Sequence, residues 1–295
     1  MRPDPGVGLF ANLDLADAFH ARAQFEVTAG EPGFDAKDVL AVFGFGHRDV
    51  VDFEVECFAG QPGQHQGSLL TGVDVGDVAV FDPDPEAPRK VGEVLANARA
   101  ALPTLADVPM PPEGRLTFTD SLTEAVQGAD YIQESVSERL DLKHRVFAQI
   151  QQAAPQTLLG SSTSGFKPSQ LQENAANPAV IFVAHPFNPV YLLPINEIVP
   201  GEKTGKAFVE RAREVYTSIG MKCVVINKEI DAFVGNRLLE AAWREALWMI
   251  KDGICTVEEL DDIMRYGFGM RWAQMGMFQT YRIAGGEAGM RHFMA

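Results

Sequence analysis

The sequence is poor in cysteine and contains no long hydrophobic run. Its three cysteines, Cys57, Cys223 and Cys255, are isolated and form no CxxC motif, so we expect neither a disulfide framework nor a zinc site. No apolar stretch approaches the ~18 residues that span a bilayer, and residues 1–5 do not combine a basic region with an apolar run. We therefore expect a cytoplasmic protein that is neither exported nor inserted into a membrane, with no bound metal.

The sequence also lacks an excess of positive charge. Its 25 basic and 40 acidic residues give a formal net charge of −15 at pH 7. A surface of this sign cannot displace counterions from a phosphate backbone, which argues against nucleic acids and anionic membranes as partners. Apolar residues at 46% and charged residues at 22% are typical of a folded globular protein, and 295 residues are enough for two domains.

Short apolar segments alternate with amphipathic ones from about residue 77 to residue 200. The apolar segments are rich in residues that favour strands, and the amphipathic segments place apolar residues three and four positions apart, as helices do. This alternation predicts a mostly parallel sheet that is covered by helices on both faces. The predicted strands are residues 77–84, 116–118, 131–133, 157–159 and 180–184, and two of the predicted helices are residues 88–102 and 138–152.

Two of the predicted strands end in groups that can take part in acid–base chemistry. Ser164 belongs to a cluster of hydroxyl-bearing residues after the strand at 157–159, and His185 follows the strand at 180–184. Ligands of open α/β sheets bind outside the carboxyl ends of the strands, so both residues are expected at the edge of one crevice.

An acidic residue, Glu197, follows His185 in the next apolar segment, residues 192–199. A carboxylate that returns beside a histidine fixes the tautomer of the ring and favours its protonated form. A lone histidine at a strand end is more often only solvated or hydrogen-bonded, so this assignment depends on the whole constellation. We interpret the pair as a general base with its orienting acid.

Three motifs, STSG (162–165), HPFNP (185–189) and FVGNR (233–237), occur together with this glutamate. In combination they resemble the 3-hydroxyacyl-CoA dehydrogenase superfamily. The resemblance covers roughly residues 77–295 and does not include the first seventy-odd residues. It implies a Rossmann-like dinucleotide-binding domain, a smaller all-helical domain after it, and a homodimer.

The resemblance also implies a reaction, namely the NAD-dependent oxidation of a secondary alcohol at the β-position of an acid. His185 would take the hydroxyl proton, Glu197 would stabilise the imidazolium, and Ser164 and Asn236 would contact the substrate oxygen. Asp82 also ends a predicted strand, where an acid favours NAD because it would repel the 2′-phosphate of NADP. The cofactor-binding residues implied by the resemblance are Asp82, Glu138, Lys143 and Asn188.

Residues 1–76 do not fit this picture. A strand followed by GxGxxG should open a dinucleotide-binding domain, but residues 39–49 offer only the first two glycines, with Asp49 in place of the third. A carboxylate there would repel a pyrophosphate. We therefore expect the first strand and glycine loop to be lost or aberrant, and divide the chain into an atypical leader (1–76), a partial dinucleotide-binding domain (77–200) and a truncated helical substrate and dimerisation domain (201–295).

L-Carnitine, oxidised to 3-dehydrocarnitine, is the substrate that the resemblance favours. Its trimethylammonium group forms no hydrogen bonds and is best held over an aromatic face, for which Tyr191 is the preferred candidate. Another 3-hydroxy acid or a 3-hydroxyacyl-CoA would use the same catalytic groups. The atypical leader leaves open a catalytically silent relative, a purely structural protein or a defective gene model. The other candidate aromatic residues are Phe166, Trp243, Trp272 and Tyr281.

Overall fold

Residues 55–59, 77–104 and 113–294 are described in the computed structural model. They form an eight-stranded sheet in the order β3-β2-β1-β4-β5-β6-β7-β8. The strands are β1 (Val55–Ala59), β2 (Asp77–Phe81), β3 (Leu116–Thr119), β4 (Tyr131–Glu134), β5 (Leu158–Ser161), β6 (Ile181–Pro186), β7 (Ile195–Pro200) and β8 (Lys222–Val225).

The pairing of the strands confirms a mostly parallel sheet. The pairs β2/β3, β4/β5, β5/β6 and β7/β8 are parallel. Strand β7 runs antiparallel to β6. The carboxyl ends of β4, β5 and β6 therefore share one edge of the sheet, where polar residues were expected to converge.

Strand β1 lies at the centre of the sheet, although it belongs to the leader that the sequence left unassigned. It runs antiparallel to both of its neighbours, β2 and β4. Its first residue, Val55, pairs with Glu134 at the carboxyl end of β4, and its last, Ala59, pairs with Asp77 at the amino end of β2. The central strand is thus aberrant in direction. The partial glycine motif at residues 39–49 lies outside the described residues.

Helices connect the strands, and the longer ones begin near the positions that the apolar spacing predicts. Helices α1 and α3 correspond to the segments predicted at 88–102 and 138–152. The helices of this part of the chain are α1 (Ala87–Ala101), α2 (Leu122–Val126), α3 (Leu140–Ala153), α4 (Pro168–Leu171) and α5 (Lys206–Ser218), with 3₁₀ turns at Leu102–Thr104 and Pro178–Val180.

The core consists of two apolar clusters. The first contains Val146 and Ile150 of α3 with Val183 of β6. The second contains Ala212 of α5 with Phe182 of β6. Because successive residues of a strand point to opposite faces, α3 and α5 cover opposite faces of the sheet. This two-sided cover is the expected Rossmann-like arrangement.

The chain divides into two compact units, the first ending at Phe233 and the second beginning at Val234. The boundary predicted from the sequence lies at residue 200. Between these two positions lie α5 and β8, and β8 pairs in parallel with β7 at the edge of the sheet. The segment that follows residue 200 thus extends the first unit before the helical unit begins.

The described part of the second unit is entirely helical, as expected. Its first element, α6, is amphipathic and leaves several large apolar side chains exposed. None of the helices described in the chain is both long and apolar enough to cross a bilayer. The elements are α6 (Phe233–Lys251, whose first residue belongs to the first unit), α7 (Val257–Asp262), a π-helix (Ile263–Phe268), α8 (Gly269–Gln274), α9 (Met277–Ala284), a 3₁₀ turn (Gly286–Ala288) and α10 (Met290–Phe293).

Candidate active site

His185 and Glu197 lie directly opposite each other on the antiparallel strands β6 and β7. The Nδ1 atom of His185 is 2.9 Å from Oε2 of Glu197. Both residues are buried, with exposed fractions of 4% and 3%. The carboxylate can only accept, so Nδ1 carries the proton in this pair, and Nε2 of the neutral ring is left as the basic nitrogen.

Ser164 lies in the turn that follows β5, the strand next to β6. Its Oγ is 3.2 Å from Nε2 of His185. Because Glu197 accepts from Nδ1, the hydroxyl of Ser164 donates to Nε2. The structure therefore brings together three of the four predicted catalytic residues, His185, Glu197 and Ser164.

Two aromatic rings pack against the imidazole. The ring centroids of Phe187 and Phe233 lie 5.5 Å and 5.3 Å from that of His185. Phe233 is completely buried. It also has φ of 52°, directly after Ala232 with φ of 60°. These rings restrict the imidazole on sides where it has no hydrogen-bond partner.

A buried ion-pair network lies beside the turn that carries Ser164. The ammonium group of Lys143, with a side chain only 1% exposed, is 2.9 Å from Oε1 of Glu134 and 3.3 Å from Oε2 of Glu138. Lys143 also donates to the carbonyl of Val136 at 2.9 Å. Burial disfavours the charged amine, but the two carboxylates outweigh burial and raise the pKa of Lys143 above its ordinary value of 10.5.

The two carboxylates of this network hold the segment from Ser161 to Gly165. Glu134 accepts from the hydroxyl of Ser161. Glu138 accepts from the hydroxyl of Thr163 and, at 2.8 Å, from the backbone N–H of Gly165. Ser164 thus stands between two residues that are bound to the same carboxylate.

A second polar network lies on the opposite face of the sheet. The hydroxyls of Tyr131 and Tyr216 both donate to Oε1 of Gln133, and the Nε2 of Gln133 donates to Oγ of Ser162 at 2.6 Å. Gly160 makes room for it, because a Cβ at that position would overlap the hydroxyl of Tyr131. These contacts fix Ser162 from the face that does not carry His185.

The four predicted cofactor residues do not form one cluster, unlike His185, Glu197 and Ser164, and they differ in exposure. Asp82 follows β2, and its Oδ1 accepts the backbone N–H of Asp84 at 2.7 Å. Its role as a ribose-binding acid stays a prediction. Asn188 is exposed in the turn after β6. Glu138 has an exposed fraction of 44%, whereas the side chain of Lys143 is enclosed.

The fit of a dinucleotide to the described residues is partial. A pyrophosphate is normally bound where the central strand ends and a helix begins, at the edge that also carries the ribose-binding acid. Here the amino end of β1 lies at that edge, because Val55 pairs with Glu134. The described residues therefore fit the adenosine and catalytic ends of the cofactor, and within the described ranges no turn fits its pyrophosphate.

Asn236 and most of the candidate aromatic residues lie apart from this cluster in the chain. Asn236 belongs to the first turn of α6, within the second unit, so its contact with the substrate oxygen stays a prediction. Phe166 packs against the core of the first unit, and Tyr191 is partly buried in the segment after β6. The ring of Trp272 packs against Phe268 with 4.7 Å between centroids. Trp243 and Tyr281 are exposed in the second unit.

Sequence reasoning overlooked the buried carboxylate of Glu134 and the enclosure of Lys143. A signal for Lys143 was present, because it shares a helical stripe with apolar residues of α3 such as Val146 and Phe147. A signal for Glu134 was its position directly after the strand predicted at residues 131–133.

A sheet covered on both faces, with a histidine–carboxylate pair at the carboxyl edge and a helical unit after it, defines the class of Rossmann-type oxidoreductases. The family model described as 3-hydroxyacyl-CoA dehydrogenase, NAD binding domain, matches residues 70–230. The model of the C-terminal domain of the same enzymes matches residues 233–295. The chain belongs to the 3-hydroxyacyl-CoA dehydrogenase family, and at the level of the family this confirms the predicted cofactor, NAD.

Two individual proteins of known name are similar to the chain over most of its length. It is 65% identical over 229 residues to an L-carnitine dehydrogenase of Mesorhizobium japonicum, a match that covers 77% of this chain and 62% of that protein. It is 62% identical to an L-carnitine dehydrogenase/betainyl-CoA thioesterase of Ruegeria pomeroyi, with 74% of this chain and 45% of that protein covered. The chain thus spans less than two thirds of the length of these relatives.

A solved structure supports the assignment of the fold. The crystal structure of 5-formyl-3-hydroxy-2-methylpyridine 4-carboxylic acid 5-dehydrogenase, an NAD⁺-dependent dismutase, matches with a TM-score of 0.65 and 32% identity. The match covers 70% of this chain and 67% of that one.

Proposed function

We propose that the chain is an NAD-dependent dehydrogenase that oxidises the 3-hydroxyl group of L-carnitine to 3-dehydrocarnitine. The observation that carries the proposal is the position of His185 between the carboxylate of Glu197 and the hydroxyl of Ser164. The similarity to two carnitine dehydrogenases supports the choice of substrate.

In the proposed reaction, Nε2 of His185 takes the proton of the substrate hydroxyl. Glu197 keeps the proton of the neutral ring on Nδ1 and stabilises the imidazolium that forms when Nε2 is protonated. Bound NAD would supply the acceptor for the hydride that leaves the carbon carrying the hydroxyl. Burial of His185 and Glu197 strengthens their interaction, since water does not screen it.

Ser164 would contact the same substrate oxygen. Its hydroxyl, 3.2 Å from Nε2, marks where that oxygen can meet both groups at once. A donor aimed at this position helps most when negative charge develops on the oxygen during proton transfer. Asn236, from the first turn of α6, is the proposed second donor.

The residues proposed to hold NAD are Asp82, Glu138 and Asn188. Asp82 would accept from the ribose hydroxyls, and the exposed part of Glu138 faces the edge that carries Ser164. The resemblance also names Lys143, but its enclosed amine acts on the cofactor site only through Glu138.

Tyr191 remains the proposed partner of the trimethylammonium group. It lies six positions after His185 in a short segment that leaves the same strand, and part of its side chain is exposed. A cation over an aromatic face is stabilised without any hydrogen bond, which suits this group. A substrate without the cation, such as another 3-hydroxy acid or a 3-hydroxyacyl-CoA, would not depend on Tyr191.

The second candidate is a catalytically silent relative. A defective gene model would also give an inactive protein. The reversed direction of β1 favours it, because the strand cannot lead into a pyrophosphate-binding turn at the edge beside Asp82. In that case the catalytic residues are retained without an effective site for NAD.

We propose that the protein is a cytoplasmic homodimer. Helix α6 places Leu239, Trp243 and Leu247 four residues apart, and each is at least half exposed. Such a stripe is suited to bury against a second copy of the chain. Light scattering should give twice the mass of the chain, and Trp243→Glu should give the mass of one chain.

One experiment separates the candidate functions. Purified protein is titrated with NAD by calorimetry, and L-carnitine is then added at alkaline pH while the absorbance of NADH is followed. We expect NAD binding, turnover in the wild type, and loss of turnover in His185→Ala. Binding without turnover would indicate another substrate, and no binding would support the silent relative. Undiminished turnover in His185→Ala would refute the proposed mechanism.

A further inference from the structure

The position of Ser164 depends on a carboxylate that neither Ser164 nor His185 touches. Oε1 of Glu138 accepts from Thr163 and from the N–H of Gly165, the two neighbours of Ser164. The two neighbours of Ser164 are therefore tied to one oxygen atom, Thr163 through its hydroxyl and Gly165 through its backbone N–H. A shift of that oxygen would move the hydroxyl of Ser164 relative to Nε2 of His185.

Glu138 is in turn held by a buried cation. Its other oxygen, Oε2, lies 3.3 Å from the amine of Lys143. The same amine lies 2.9 Å from Glu134, which binds the hydroxyl of Ser161 at the end of β5. One lysine thus fixes the two carboxylates that hold both ends of the segment from Ser161 to Gly165.

The amine of Lys143 is surrounded by groups of the protein. Its side chain is 1% exposed, and its three partners are Glu134, Glu138 and the carbonyl of Val136. An ammonium group has three hydrogens to donate. These partners account for all of them, so none is left for a cofactor.

We propose that Lys143 is a positioning residue, which holds Glu138 so that Glu138 fixes the turn that places Ser164 at Nε2 of His185. This rests on the proposed function of the site, and it replaces a direct contact between Lys143 and the cofactor. The amine contributes to proton abstraction only by keeping Ser164 in place.

The test observes His185 in the cofactor-free protein, so it does not require turnover. The resonances of the ring Cε1–Hε1 group are assigned with His185→Gln and compared between the wild type, Ser164→Ala and Lys143→Met. We expect Lys143→Met to shift these resonances in the same direction as Ser164→Ala. The control is Lys222→Met, since Lys222 is exposed on β8, and it should leave them unchanged.

A folded Lys143→Met protein with wild-type His185 resonances would overturn the proposal. If that variant does not fold, the same measurement is made on Glu138→Gln, which changes a partly exposed residue without changing its size. Lys143 and the N–H of Gly165 lie against different oxygens of Glu138. An amide therefore turns an NH2 group toward one of these two donors, and the same shift is expected. Wild-type resonances in Glu138→Gln would overturn the proposal equally.

Kinetics provide an independent readout where the wild type turns over. Lys143→Met should lower kcat by about tenfold or more, as loss of an aligned donor does. It should raise the Kd for NAD no more than Glu138→Gln does, because Lys143 reaches the cofactor only through Glu138. The Lys143→Met/Ser164→Ala double variant should be no slower than Ser164→Ala alone, because both changes act through one hydroxyl. A raised Kd for NAD with unchanged His185 resonances would indicate direct contact with the cofactor. If the wild type shows no turnover, only the proposed function fails, and the resonances still decide the role of Lys143.

Discussion

The ring of Phe233 packs against the ring of His185 with their centroids 5.3 Å apart, at the residue where the first unit ends. This contact requires an unusual backbone. Both Ala232 and Phe233 have positive φ, a conformation that side chains with a Cβ disfavour. The burial of Phe233 holds the strained conformation in place and keeps its ring against the imidazole of His185.

Ala232→Gly should therefore stabilise the protein. Glycine adopts φ of 60° without the steric penalty of a Cβ, so we expect a gain of about 1 kcal/mol in the free energy of unfolding. Urea denaturation measures it. The matched control is Ala96→Gly at an exposed position inside α1, which should lose about 1 kcal/mol. Equal losses in both variants would mean that residue 232 carries no strain.

Glu197→Gln should impair catalysis without removing the residue's volume. The amide no longer stabilises the imidazolium and does not fix the tautomer, so we expect kcat to fall about 10²- to 10⁴-fold. The KM for the substrate should change little, because Glu197 is buried behind His185. Steady-state kinetics with L-carnitine measure both. Glu202→Gln, at an exposed position after β7, should match the wild type, and a wild-type kcat in Glu197→Gln would remove the acid from the mechanism.

Gly165→Ala should displace the carboxylate of Glu138. A Cβ at residue 165 would lie 3.0 Å from Oε1 of Glu138, so the oxygen must withdraw from the N–H that it accepts. We expect kcat to fall about tenfold as Ser164 loses its alignment. Gly92→Ala provides the control, because a Cβ there meets nothing within 4 Å and glycine is unfavourable within a helix. That variant should be slightly more stable with unchanged kcat.

The raised pKa of Lys143 predicts a loss of stability in alkali. The folded state holds the proton more tightly than the unfolded state, whose lysine has the ordinary value of 10.5. The stabilisation is therefore complete below about pH 10.5 and is lost as the pH rises through the higher pKa of the folded state. Unfolding free energies from about pH 8 to 12 should fall more steeply in the wild type than in Lys143→Met. Parallel curves would show that Lys143 is not stabilised as an ammonium ion.

The contrast between His185 and Lys143 shows what the sequence could predict. The pairing of His185 with Glu197 could be predicted from the sequence, because each residue lies in or beside an apolar strand and the family motifs give the order of the elements. The ion-pair network was not predicted. Its members lie close together in the chain, but the path of the loop between β4 and α3 decides whether Glu134 and Glu138 meet Lys143, and residue type and spacing do not specify that path. Strand β1 escaped prediction for a similar reason, since five residues with long-range antiparallel pairing carry little local signal.

Gly160→Ala should destabilise the protein through the network on the far face of the sheet. The new Cβ would overlap the hydroxyl of Tyr131, which donates to Gln133. Overpacking of this kind costs about 1–3 kcal/mol, measured by urea denaturation. In a Tyr131→Phe background the obstructing hydroxyl is absent, so the cost of Gly160→Ala should be smaller there. An equal cost in both backgrounds would mean that the overlap with Ala184, whose Cβ lies 2.9 Å from the added one, dominates instead.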